Sequence, residues 1–281
     1  MKKLFAIVFI LFGAAWFMQA YGQNCCVKNS DDWKVLASSK EFKESHLPPE
    51  PLAYTPDKGS MIQFETLDGK KGSAFYVPSD EPTTKVLIIF PEWWGLNDYI
   101  KREAVRWQKL LGNVDVYAVD LYDGQSTDDP DIASKLASGL DQKRGETIVK
   151  GVISKIGKDK MIATLGWCMG GAWAFTGAVF ATNEASGCVM YYGPPEQDDK
   201  RTKQIQTDVL YIWGSQDKFI KQSFVEQFGD KIKATGHTFD LHIYDAVHAF
   251  ANPSNPKYAS LYATQAQDIA VKFLKEKLAL E

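Results

Sequence analysis

The chain has 281 residues, a formal net charge of −3, 45% apolar residues and 24% charged ones. That apolar fraction supports a sizeable core and excludes a disordered chain. No long block of like charges is present, which excludes a nucleic-acid partner that would need a basic patch.

The N-terminus reads as an export signal. MKK is a short basic region, the apolar run LFAIVFILFGAAWFM follows, and Ala20-Tyr21-Gly22 is a small-x-small cleavage site. The run is about fifteen residues, short of the roughly twenty that a membrane span needs. Residues 1–22 are therefore expected to be a signal peptide, 23–57 an N-terminal extension and 58–281 the main domain. The mature protein is then periplasmic or secreted, with no stable membrane insertion; an uncleaved anchor is the alternative. Cys25, Cys26, Cys168 and Cys188 all fall in the mature part. Their number alone does not choose a pairing. Cys188, inside ASGCVMYYG, reads as a small buried hydrophobe. There is no C-x-x-C and the histidines are scattered, so neither a metal site nor a cofactor is expected.

In SDDWKVLASSKEFKES, Trp33, Leu36 and Phe42 have roughly helical spacing. LPPEPLAYTPDKG then runs extended, and the whole extension is expected to pack on the main domain. SMIQFETL and SAFYVP, joined through Asp68-Gly69, predict a hairpin. KVLIIF (85–90), VDVYAVD (114–120), KMIATLGW (160–167), SGCVMYY (186–192) and VLYIWG (209–214) are short apolar runs. Such runs suit strands buried on both faces of a parallel sheet. Helix-like stretches separate them: DYIKREAVRWQKLLG with an Asp cap and a stop at Gly112, MGGAWAFTGAVFA, and IKQSFVEQFGDKIKA. KYASLYATQAQDIAVKFLKEKLA closes the chain. This alternation predicts an α/β fold, a doubly wound, mostly parallel sheet with helices on both faces. About fifteen residues separate YYG from VLYIWG, too few for a large cap, so an open aromatic pocket for a small substrate is expected.

Ligands of such sheets sit beyond the carboxyl ends of the strands. Glu92 follows KVLIIF, Cys168 follows KMIATLGW, Asp217 follows VLYIWG and His248 follows the strand-like FDLHIYD. GWCMGG (166–171) has the outline of a nucleophile elbow with cysteine at its centre. Gly166 and Gly170 give the turn room, and the thiol sits at a helix N-terminus, which favours a thiolate and a developing oxyanion. Taken alone, Cys168 reads as a buried structural cysteine; the order nucleophile, acid, histidine is what marks it. Asp245, three residues before His248, is a rival acid that reads better as a turn residue. His46, His237 and His242 read as ordinary histidines, because none follows a buried strand in the required order, and Asp240 reads as a strand-face residue. Trp93, Trp94 and Trp167 read as pocket wall and packing.

Together EWWG, GWCMGG, GSQDKF and HAF resemble the dienelactone hydrolases, a cysteine-using branch of the α/β-hydrolases, over roughly residues 58–281. The resemblance implies an α/β-hydrolase fold without a large cap. It implies Cys168 as nucleophile, His248 as base, Asp217 as its orienting acid and Glu92 as a carboxylate that holds the resting thiol. It also implies an oxyanion hole from the backbone N–H groups of Trp93 and Met169. Trp94, Trp167, Phe250 and Asn252 are the substrate-pocket candidates. Asn252 stands where dienelactone-cleaving members place an arginine, so a dicarboxylate substrate is not expected. A thiol favours esters and lactones, since an amide-derived intermediate tends to expel the thiolate and revert. The expected function is hydrolysis of small carboxylic esters or lactones outside the cytoplasm. A broad esterase or exopeptidase on the same fold, and a catalytically silent binding protein, are the alternatives.

Overall fold

The computed structural model describes residues 30–252, 254–255 and 258–281. The signal-peptide reading and Cys25 and Cys26 lie outside them. The helical spacing near the start yields two helices, α1 (Ser30–Ser38) and α2 (Lys40–Ser45). Ser39 separates them because its hydroxyl accepts from the Phe42 N–H, capping α2 at 3.1 Å.

Strands β1 (Ser60–Glu65) and β2 (Lys71–Val77) form the expected hairpin. Then come β3 (Lys85–Phe90), α3 (Asp98–Leu111), β4 (Asp115–Asp120), α4 (Pro130–Gly139) and α5 (Gln142–Ile156). The elbow unit follows: β5 (Met161–Trp167), α6 (Met169–Ala181) and β6 (Ala185–Tyr191). The chain ends with α7 (Asp199–Thr202), β7 (Val209–Gly214), α8 (Gln222–Lys233), β8 (Phe239–Tyr244) and α9 (Ser260–Lys277). Two details differ from the sequence reading. Helix α3 is capped by Asn97, whose Oδ1 accepts from the Ile100 N–H, while Asp98 is its first residue. Helices α4 and α5, capped by Asp129 and Asp141, occupy a stretch in which no helix was expected.

The eight strands lie in one sheet in the order β1-β2-β4-β3-β5-β6-β7-β8. The hairpin joins antiparallel through β2 and β4, and all later pairings are parallel. This is the α/β-hydrolase fold. Every residue of β7 is buried, as covered faces require, whereas edge strand β8 is buried only at its ends, Phe239 and Tyr244, and exposes Asp240 and Ile243. Among the described residues no helix is long and apolar enough to cross a membrane.

The extension docks on helices α4 and α3 by specific contacts. Ser134 Oγ of α4 donates to the Ala37 carbonyl at 2.7 Å, and Lys43 pairs with Asp131 at 2.8 Å. Farther along, the Tyr99 hydroxyl donates to the Glu50 carbonyl at 2.8 Å. These contacts set α2 over the carboxyl end of the sheet, above the elbow.

Candidate active site

Cys168 sits between β5 and α6 with φ 53° and ψ −122°, a strained backbone for any residue with a Cβ. Its neighbours hold it there. The Cys168 N–H donates to the Tyr191 carbonyl at 2.9 Å and its own carbonyl accepts from the Gly171 N–H at 2.9 Å. A Cβ on Gly166 would overlap the Gly170 carbonyl, and one on Gly170 would overlap the Phe90 carbonyl. The glycines therefore permit β5, the turn and α6 to approach closely enough to lift the thiol clear of the sheet.

Asp217 and His248 arrive on two loops that are zipped together. The Ser215 N–H donates to the Tyr244 carbonyl at 2.8 Å and the Gln216 N–H to the Ala246 carbonyl at 3.0 Å. Asp217 Oδ1 accepts from the Phe219 and Ile220 N–H groups at 2.8 and 2.9 Å, which leaves Oδ2 facing His248. Nδ1 of His248 lies 2.6 Å from that oxygen, and Nε2 lies 3.3 Å from the Cys168 sulfur. A carboxylate only accepts, so Nδ1 carries the proton and Nε2 presents a lone pair to the thiol. Asp245, the rival acid, is exposed and binds Gln216 at 2.7 Å instead.

Glu92 is buried beside this chain. Asn252 Nδ2 donates to its Oε2, and Asn252 Oδ1 is itself held by Ser254 N–H and Oγ at 2.8 Å each. Glu92 Oε1 has no hydrogen-bond partner. Burial raises the Glu92 carboxyl from its usual 4.5 to about 8, against a lowering influence from the nearby Tyr192 hydroxyl. Burial also raises the Cys168 thiol well above its usual value; Glu92 and Asp217 add to this, and the Met169 N–H opposes it. The guard role expected for Glu92 combines like-charge repulsion of a thiolate with a hydrogen bond to the neutral thiol; the raised carboxyl pKa weakens the first contribution below about pH 8.

Met169, which follows the thiol in the chain, and Trp93 are linked by Tyr122, whose hydroxyl lies 3.2 Å from the Trp93 carbonyl and 3.3 Å from Met169 Sδ. The other pocket candidates are dispersed. Trp94 packs on Trp93 with ring centroids 4.9 Å apart, Trp167 lies against Tyr191 at 5.7 Å, and Phe250 packs between Tyr192 and Tyr244. All three are core side chains, and Asn252 is the clamp on Glu92.

The expected open pocket is not found over the triad, for Cys168 has no exposed surface. Phe42 fills the space, its ring centroid 5.2 Å from Trp93, 5.0 Å from Phe219 and 6.0 Å from His248. His46 lies beneath it, 5.3 Å from the His248 ring, with its Nδ1 2.7 Å from the Phe42 carbonyl. Burial, reinforced by neighbouring His248, pushes the His46 imidazole down to about 3, so it is neutral. Sequence order gave this histidine no role; it enters the site from a segment far upstream of the elbow, which only the docking of α2 brings near. A cavity of about 290 Å³ does open beside the site, between α1, α6 and the loop after β6. Trp33, Trp173, Pro195 and Arg201 line it, and it reaches the elbow only at Met169.

A sequence model described as the dienelactone hydrolase family matches residues 73–278. A putative carboxymethylenebutenolidase of Aquifex aeolicus is 25% identical over 231 residues, covering 78% of this chain and 99% of the relative. A carboxymethylenebutenolidase of a Pseudomonas species is 27% identical over 227 residues, covering 75% and 93%. The crystal structure of a putative dienelactone hydrolase from Klebsiella pneumoniae superposes with a TM-score of 0.64 at 20% identity, covering 77% of this chain and 99% of that one. The family match spans most of the chain and includes the elbow, both loops of the Asp217–His248 pair and Glu92, so this chain belongs to the dienelactone hydrolase family.

Proposed function

We propose that the protein hydrolyses small carboxylic esters or lactones through Cys168, His248 and Asp217, with Glu92 as an auxiliary acid, and that it does so after export. The relay from the Cys168 sulfur through His248 to Asp217, set on a strained elbow, carries this reading. The names of the carboxymethylenebutenolidase relatives are in keeping with it.

In the first step the thiol proton passes to His248 Nε2 as the sulfur bonds to the carbonyl carbon. The carbonyl π pair moves onto oxygen, within reach of the Met169 and Trp93 N–H groups at the start of α6 and after β3. Collapse expels the alkoxide, which takes the proton from His248 and leaves a thioester. Water, deprotonated by the same nitrogen, then attacks the thioester and releases the acid and the thiol. Asp217 keeps the ring oriented and stabilises the imidazolium that forms in both halves. A fully buried sulfur reaches no substrate, so turnover requires Phe42 and His46 to move aside.

The test is cleavage of p-nitrophenyl acetate and a simple aryl lactone by the full chain. Cys168→Ala should lower kcat/KM by roughly 10³-fold or more. Iodoacetamide should inactivate the wild type in step with labelling of the Cys168 peptide. Full activity in Cys168→Ala would overturn the reading. Binding of an ester without turnover by the wild type would favour a silent binding protein.

A further inference from the structure

Two imidazoles, not one, converge on the Cys168 thiol. One ligand atom each from His46, Cys168 and His248 lie within 4.8 Å of one another, and all three residues are buried. His46 Nδ1 is turned back onto α2, 2.7 Å from the Phe42 carbonyl and 3.0 Å from Ser45 Oγ, whose own proton goes to the same carbonyl at 2.7 Å. A carbonyl only accepts, so that nitrogen carries the proton and Nε2 carries the lone pair. This Nε2 is buried and has no hydrogen-bond partner. His248 Nε2 likewise presents a lone pair to the sulfur. A single thiol proton satisfies one of these nitrogens and leaves the other without a donor.

We propose that Cys168, His248 and His46 form a binding site for a borderline-soft divalent cation such as Zn²⁺, which clamps α2 shut over the nucleophile. The donor set is one thiolate and two neutral imidazoles, the combination that selects zinc over calcium or magnesium. Binding is balanced by release of the thiol proton to solvent as the sulfur–metal bond forms. Both histidines already have the outer partners that metal-bound imidazoles require. Nδ1 of His248 is held by Asp217 and Nδ1 of His46 by the Phe42 carbonyl, which fixes the tautomers and aims each Nε2 inward.

The spacing is close to what zinc needs. Bonds of about 2.3 Å to sulfur and about 2.0–2.1 Å to nitrogen put tetrahedral ligand atoms roughly 3.3–3.6 Å apart. The sulfur and His248 Nε2 are already 3.3 Å apart. A shift of His46 by about an ångström completes the three-coordinate set and leaves a fourth position for water. The metal would tie the N-terminal segment to the elbow and occupy the nucleophile, so it would silence the hydrolysis proposed above; that consequence rests on the hydrolase reading, while the binding does not.

The experiment uses the reduced full chain in chelator-free buffer. One equivalent of Co²⁺ should give a thiolate-to-cobalt charge-transfer band in the near ultraviolet and tetrahedral visible bands, both removed by Zn²⁺. Zn²⁺ should slow iodoacetamide labelling of the Cys168 peptide at least tenfold, and a chelator should restore the rate. Cys168→Ala should abolish the charge-transfer band. His46→Gln should weaken Co²⁺ binding at least tenfold, and His46→Cys, which returns a soft ligand, should recover the band. The absence of a band with the wild type overturns the proposal. So does a band unaffected by Cys168→Ala or His46→Gln, which would assign the metal to other residues. All of these readouts are independent of turnover, so the metal site and the hydrolase reading fail separately.

Discussion

Replacing Glu92 with glutamine tests whether this carboxyl is neutral in the folded protein. A folded-state value of about 8 against an ordinary 4.5 means that folding favours the protonated form. The sign follows from linkage. Below about pH 4.5 both folded and unfolded chains carry the proton, and Glu92 imposes no pH-dependent cost. As pH rises the unfolded chain ionises first, so stability falls until the folded carboxyl ionises near pH 8. At about 1.4 kcal/mol per pKa unit, the full loss is about 5 kcal/mol, an upper bound because local water entry relaxes such shifts. The glutamine side chain would keep the shape and its carbonyl would still accept from Asn252 Nδ2, but it has no proton to lose. The difference in urea unfolding free energy between variant and wild type should therefore be small at pH 4.5. It should grow by several kcal/mol, in favour of Glu92→Gln, by pH 8.5. Other buried acids such as Glu103 are common to both proteins and cancel in the difference. Iodoacetamide labelling of Cys168 supplies a second reading. The two proteins should react alike near pH 6, where neither side chain at this position is charged, and the variant should react faster above pH 8. A stability difference that does not change with pH, or faster labelling of the variant already at pH 6, would show that Glu92 is ionised in the folded site and refute the argument.

Phe42→Ala removes a buried ring from the cover over the thiol, a change worth about 3–5 kcal/mol in a packed core. If half of that falls on the docking of α2, site-resolved iodoacetamide labelling of Cys168 should speed up by one to two orders of magnitude, with Cys188 as the buried internal control; equal rates would mean that the thiol is reached by another route. Mass spectrometry of protein made in a secreting host should find a mature N-terminus at or near Gln23, and an intact Met1 in a membrane fraction would support an uncleaved anchor instead.

The sheet and the relay were legible because their signals are local. Strands covered on both faces must be apolar throughout, so KVLIIF and VLYIWG read directly as β3 and β7. Cys168, Asp217 and His248 each follow such a strand, and topology then brings strand ends together. Helices α4 and α5 were hidden by polar, turn-like composition, although Asp129 before Pro130 and Asp141 before Gln142 are usable cap signals. Phe42 was placed on a helix by its spacing, but periodicity does not name the surface a helix face meets. That missing contact is also why His46 received no role and why an open pocket was expected. The upward shift of the Glu92 carboxyl was equally hidden, because it follows from burial in the folded site and not from any neighbour in sequence.

Burial acts on three groups around the sulfur in the same chemical sense. It raises the thiol, raises the Glu92 carboxyl to about 8 and lowers the His46 imidazole to about 3, each toward its uncharged form. The elbow acts oppositely. The Met169 N–H and the N-terminus of α6 favour a negative sulfur, as the attack on a carbonyl demands. Which influence wins depends on whether water and substrate reach the site, and hence on where α2 sits. With α2 docked, desolvation dominates and the sulfur stays a protonated, poorly nucleophilic thiol, which is also the form least open to oxidation. With α2 displaced, the desolvation cost falls while the helix N-terminus and the Met169 N–H stay in place, because both belong to the rigid elbow. On the proposed hydrolysis, a movement of α2 that admits an ester would therefore also ease loss of the thiol proton.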